Sequence, residues 1–210
     1  MVFLLLPGCI GIKESININK DRSGTIKYSV SLSGSQELPG WILNLAGAGY
    51  TEMITTELTR MATTLRDLKG ISNVHWSSNG ENGGIFIEWH FDNLRDLNRS
   101  IYEVMNLKKE LVYPGYIRMG CGRVKKTNLR PVIQYFRNRG FEDYGDELPL
   151  QWIEYESEIT IPYRYTRVQS GNHTIITDNH TVNQKLSAEE VMSGEVNTGF
   201  RVAYSKRSRD

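Results

Sequence analysis

Gly84-Ile85-Phe86-Ile87-Glu88-Trp89-His90-Phe91-Asp92-Asn93-Leu94-Arg95-Asp96-Leu97-Asn98-Arg99-Ser100-Ile101-Tyr102-Glu103-Val104-Met105 contains the change of pattern that decides the fold class. Residues 84–91 are strand-like. From there Asp92 or Asn93 can cap a helix, and Leu94, Leu97, Ile101, Val104 and Met105 then recur at the three-and-four spacing of one helical face. This predicts an amphipathic helix over 94–107. Before it, 71–77 reads as a second strand. It is joined to 84–91 through Ser78-Asn79-Gly80-Glu81-Asn82-Gly83, whose asparagines and glycines tolerate positive φ.

Another helix and another hairpin lie upstream, with no internal repeat in the sequence. Ile54, Leu58, Met61, Leu65 and Leu68 predict a helix beginning at the N-cap Thr51 and closed by Gly70. Before it lies a hairpin, with arms at 14–19 and 25–32 around the turn Lys20-Asp21-Arg22-Ser23-Gly24. In its second arm Ile26, Tyr28, Val30 and Leu32 share one face, and Lys27, Ser29 and Ser31 the other. Residues 38–49 read as an irregular connection. The second half reads as mostly extended, at 112–124, 132–136, 150–167, 173–177, 181–185 and 199–206. The order predicts an α+β fold: an antiparallel β-sheet built from hairpins, with two amphipathic helices packed on one side. Residues 10–206 are expected to form a single α+β domain. The acidic loop 140–148 is the candidate joint for a sub-division, and 207–210 form a basic tail.

A chain with 39% apolar and 23% charged residues can bury a substantial core. Its formal net charge of +1, with Lys and Arg spread among acidic residues along the sequence, disfavours nucleic-acid binding.

Residues 1–9 read as a signal segment. Leu6-Pro7-Gly8-Cys9 follows an apolar run and resembles the bacterial lipobox, in which a small residue before the cysteine permits cleavage once the thiol is acylated. Lys13 and Glu14 interrupt the run before the ~20 apolar residues that a membrane-spanning helix needs. No Lys or Arg precedes Cys9, so a truncated start is expected. Acylation of Cys9 leaves Cys121 without a disulfide partner, and its alternation with Ile117 and Met119 predicts a small buried hydrophobe on the inner face of a strand.

Together these pieces resemble the LppM-type bacterial lipoproteins. The resemblance rests on the lipobox cysteine, the strand–turn–strand around Lys20-Asp21-Arg22-Ser23-Gly24-Thr25, and the strand-to-helix phrase Phe91-Asp92-Asn93-Leu94-Arg95-Asp96-Leu97-Asn98. The late strand Ile159-Thr160-Ile161-Pro162, followed by a polar turn at Gly171-Asn172, completes it. The chain departs from that pattern in carrying Val182 where a tryptophan is expected. The resemblance implies a cell-envelope lipoprotein with a compact α+β domain of lipid-binding kind, and supplies no catalytic residues.

Other chemistry is weakly marked. His173 and His180 bracket Asp178, but seven residues across a hairpin is poor metal-ligand spacing, and no metal or cofactor is expected. His75 and His90 lie on predicted strands beside Trp76 and Trp89 and are expected to be cross-strand neighbours, in an aromatic pairing that stabilises the hairpin rather than a site. Glu154, Glu156 and Glu158 fall at every second position, on a strand face whose charge would discourage edge pairing. No nucleophile elbow, phosphate loop, Cys-x-x-Cys or His-Glu-x-x-His motif is present. Tyr28, Val30, Ile87 and Trp89 are the candidate lining of an apolar ligand pocket.

The expected function is therefore that of a non-enzymatic lipoprotein, anchored through Cys9 in the bacterial envelope, in the outer rather than the inner membrane because Ile10 replaces the retention aspartate. Its periplasmic domain would bind a lipid, an apolar ligand or an envelope protein. A structural or assembly role is the alternative, and an enzyme with a dispersed site comes after that.

Overall fold

The computed structural model describes residues 10–32, 48–78, 85–105, 115–128, 153–193 and 196–206. Among these lie eleven strands and three helices. The strands are β1 (Ile10–Ile18), β2 (Gly24–Leu32), β3 (Ile71–Ser77), β4 (Ile85–Phe91), β5 (Ile117–Gly120), β6 (Arg123–Lys126), β7 (Ile153–Thr160), β8 (Arg164–Ser170), β9 (Thr174–Ile176), β10 (Thr181–Ser187) and β11 (Phe200–Ser205). The helices are α1 (Ala48–Arg66), α2 (Leu94–Val104) and α3 (Ala188–Ser193). The fold is α+β, with mainly antiparallel sheets. Among the described residues no helix is long and apolar enough to cross a membrane.

Two sheets form. The larger has seven strands in the order β3-β4-β2-β1-β7-β10-β9, and the smaller has four in the order β5-β6-β11-β8. Both predicted hairpins are present, but the large sheet is completed by a parallel pairing of β1 with β7 that local periodicity does not announce. Register places Ile16, Ile26 and Trp89 in one row, with Ile159 and Val182 continuing it, so all the central strands turn one apolar face the same way. The helices α1 and α2 cover the β3–β4 side of that face, while the four-stranded sheet covers the side around β1 and β7. Ile16, Ile26, Leu65, Trp89, Leu97, Val124, Ile159 and Val202 are sealed between these layers.

The local signals explain the ends of elements. The Asn93 side chain accepts the N–H groups of Arg95 and Asp96 and caps α2. Gly70, at φ +79°, turns the chain out of the α1 region, and a Cβ there would strike the Asp96 carboxylate. α1 begins at Ala48, three residues before the expected cap Thr51. Ser187 and Glu190 bond reciprocally at the start of α3, as in a capping box.

Three expectations are corrected. Cys121 is exposed, because β5 and β6 join through a two-residue turn in which Cys121 and Gly122 have φ of 49° and 72°; such turns require positive φ at both positions. His75 and His90 are not opposed, since a bulge in β3 sets His75 against Glu88 and Ser72 against His90. Glu154, Glu156 and Glu158 do not guard an edge, because β7 lies inside the sheet between β1 and β10. The expected strand at 132–136 and the joint at 140–148 lie outside the described residues.

Candidate functional site

β1 alternates as Ile10, Ile12, Glu14, Ile16 and Ile18, so its pleat points a carboxylate at the core. Glu14 is fully buried. Its register partners are Tyr28 on β2 and Ser157 on β7, with Tyr155 diagonal to it. From the small sheet, Lys126 at the end of β6 and Tyr116 just before β5 reach across the interface between the layers.

Five side chains donate to this one carboxylate. Oε1 accepts from the Tyr28 hydroxyl at 2.6 Å and the Tyr116 hydroxyl at 2.7 Å. Oε2 accepts from Lys126 Nζ at 2.6 Å, Ser157 Oγ at 2.8 Å and the Tyr155 hydroxyl at 2.9 Å. Lys126 also donates to the Tyr155 oxygen at 2.7 Å. Burial alone would raise the Glu14 pKa, but the Lys126 charge and the hydrogen bonds from Lys126, Tyr28 and Tyr116 outweigh it and hold the carboxyl below its ordinary value. Burial pushes the Tyr28, Tyr116 and Tyr155 hydroxyls well above the usual tyrosine value, which keeps them protonated donors. For Lys126 burial is again the largest influence and lowers its pKa, with the attraction of Glu14 opposing it.

A buried carboxylate, ammonium and three phenols resemble catalytic furniture, but both oxygens are saturated and Glu14, Ser157 and Lys126 are at most 1% exposed. Among the described residues neither carboxylate oxygen is left open to a reacting atom. The cluster acts as a polar latch between the two sheets, and breaking a buried pair of this kind strands an uncompensated charge. Sequence reading missed it, although a signal was present in a carboxylate standing at the apolar parity of β1.

The four candidate pocket residues do come together on the inner face of the large sheet. Tyr28 opposes Ile87, and the Tyr28 and Trp89 rings lie 5.9 Å apart. Ile87 and Trp89 are 2% and 0% exposed, and Trp89 donates its indole N–H to Ser100 of α2 at 3.0 Å; Tyr28 and Val30 are half-buried. His173 and His180 sit at opposite ends of the β9–β10 hairpin. His173 meets Glu190 at 3.0 Å, while the backbone N–H of His180 bonds the Asp178 carboxylate. Cys9 lies outside the described residues.

Among solved structures, the chain is similar to the folded domain of LppM from Mycobacterium tuberculosis, determined by NMR, at 12% identity and a TM-score of 0.37, over 98% of this chain and 96% of that one. That likeness does not assign a family. No family model and no curated protein matches the chain.

Proposed function

We propose that this chain is a non-enzymatic lipoprotein of the bacterial cell envelope, tethered through acylated Cys9, with its α+β domain in the periplasm acting as a binding module. The observation that carries this reading is the junction of signal and fold. The lipobox-like Leu6-Pro7-Gly8-Cys9 ends immediately before β1, an interior strand of the large sheet, so an anchor there holds the domain without a flexible stalk. Two or three acyl chains, at about 0.8 kcal/mol per buried methylene, make such a tether effectively permanent. Ile10 in place of aspartate favours the outer membrane. The saturated state of the Glu14 cluster favours binding over catalysis, since the most reactive-looking residues are spent on holding the sheets together.

The test is intact mass and membrane fractionation of the full chain from a bacterial host, beside Cys9→Ser. A diacyl or triacyl mass increment that the variant loses, with release into the soluble fraction, is the expected result. Unmodified, soluble wild-type protein refutes the reading.

A further inference from the structure

The strands β5, β6, β8 and β11 contain seven Lys and Arg residues and no Asp or Glu. In a chain of formal net charge +1 this leaves −6 on everything else, so charge that is dispersed along the sequence is gathered by the fold into one sheet. Lys126 points inward to Glu14. Arg118, Lys125 and Arg201 occupy directly opposed positions on the outer face across three neighbouring strands, and Arg123 and Arg167 flank Ala203 in the next row. All five are exposed.

At a strand spacing of about 4.8 Å the first row spans roughly 10 Å. Like charges placed directly opposite destabilise a sheet. Among the described residues none of the five has a carboxylate within ion-pair distance. Two open grooves cross this face. One, of about 370 Å³, is lined by Arg118, Arg123, Lys125 and Arg201, and the other, of about 290 Å³, by Lys125, Asn128, Asn197 and Arg201.

The form of this face selects its partner. A discrete small ligand takes a concave, preformed and largely apolar site, whereas this face is open and offers flexible cations. Single-stranded nucleic acid stacks its bases on aromatic rings, and the outward positions of these rows carry none. The large exposed hydrophobic among the described residues is Ile175, on β9 of the other sheet, so nothing here is built to insert into hydrocarbon. What fits is an extended anionic surface met face-on by charge alone.

We propose that the outer face of the four-stranded sheet docks on an anionic lipid bilayer through Arg118, Arg123, Lys125, Arg167 and Arg201. The proposal rests on the envelope reading for placing a bilayer beside the domain. Its own contribution is an orientation: the small sheet faces the headgroups and the large sheet faces away.

The experiment uses full-length Cys9→Ser protein, so that no acyl chain contributes, sedimented with vesicles of phosphatidylcholine alone or with roughly a third phosphatidylglycerol. Binding is expected only to the anionic vesicles. It should vanish at ~1 M salt, where the screening length falls to ~3 Å. Each cation near such a surface contributes about five-fold in partitioning, so Arg118→Gln/Lys125→Gln/Arg201→Gln should bind roughly 100-fold more weakly. The control Lys13→Gln/Lys27→Gln/Lys185→Gln, on the opposite sheet, should bind like the parent, and thermal melts of both triples establish that they fold.

Equal binding to neutral vesicles, undiminished binding by the first triple variant, or retention by duplex DNA with no vesicle binding would each overturn the proposal. The outcome is independent of the acylation test. A soluble, unmodified wild type with charge-dependent vesicle binding would refute the tether and leave the docking face standing.

Discussion

The outer faces of the two sheets treat their charges in opposite ways. On the seven-stranded sheet the row Lys13–Glu156–Lys185, across β1, β7 and β10, alternates in sign. Lys13 Nζ lies 2.9 Å from Glu158 and 3.5 Å from Glu156, and Lys185 lies 3.8 Å from Glu156. On the four-stranded sheet Arg118, Lys125 and Arg201 stand in one row with no anion between them. On this first face Lys13 and Lys185 have carboxylate partners, and Lys27 lies over the Phe86 ring. The second holds its cations in an unfavourable arrangement that an external anionic partner would relieve. Between the sheets, Glu14 and Lys126 form a third arrangement, in which the charges are paired, saturated and dry. One lysine therefore serves as a latch and its chain neighbour Lys125 as an open contact, because the pleat sends consecutive residues to opposite faces.

The sharpest way to break this comparison is to remove the latch. Lys126→Met leaves Glu14 ionised and buried, and should cost about 3–5 kcal/mol in urea unfolding. The paired replacement Glu14→Leu/Lys126→Met should cost much less than the sum of the single changes, which a double-mutant cycle would show. The latch also predicts a pH dependence. The folded pKa of Glu14 is depressed, so its contribution is fully present above the ordinary carboxylate value of 4.5 and is lost as pH falls below it through the folded value. A melting temperature that declines from about pH 5 downward, with a shallower decline in Glu14→Gln, is the expected outcome.

Next in size is the join between the large sheet and α2. Ser100→Ala strips the buried Trp89 indole of its acceptor and should cost roughly 1–3 kcal/mol by the same urea measurement. Lys13→Gln removes an ion pair on the half-exposed outer face, where solvent screens the interaction, and should cost less than about 1 kcal/mol. The smallest effect has the opposite sign. Lys125→Gln removes the middle cation of the unpaired row and should raise stability by about a few tenths of a kcal/mol at low salt, with the gain disappearing as salt is added. A loss of stability there would mean that the row is structurally supported and would remove the contrast with the large sheet.

Much of the fold was legible locally. Leu94, Leu97, Ile101 and Val104 announce α2 because side chains three and four apart share a helical face, and the cap at Asn93 is a short-range hydrogen bond. The hairpins β1–β2 and β3–β4 follow from turn residues only a few positions apart. The exposed position of Cys121 was not legible in the same way. Alternation with Ile117 and Met119 suggested a longer strand, whereas the tight turn at Cys121–Gly122 reverses the chain at that point. The core signal at Glu14 was visible as a charged residue in an apolar series, but its meaning depended on Lys126, which is 112 positions away.

By itself, then, the sequence determined the two long helices, the cap at Asn93, the two N-terminal hairpins and the inward and outward parity of β1, β2 and β4, since all of these depend on neighbours within a turn or two. Only the tertiary structure decided the parallel seam of β1 with β7, the split into two sheets, the Glu14 latch and the gathering of five cations on one face. These depend on which distant strands pair and in what register, and a shift of one residue would have turned each of those side chains to the other side.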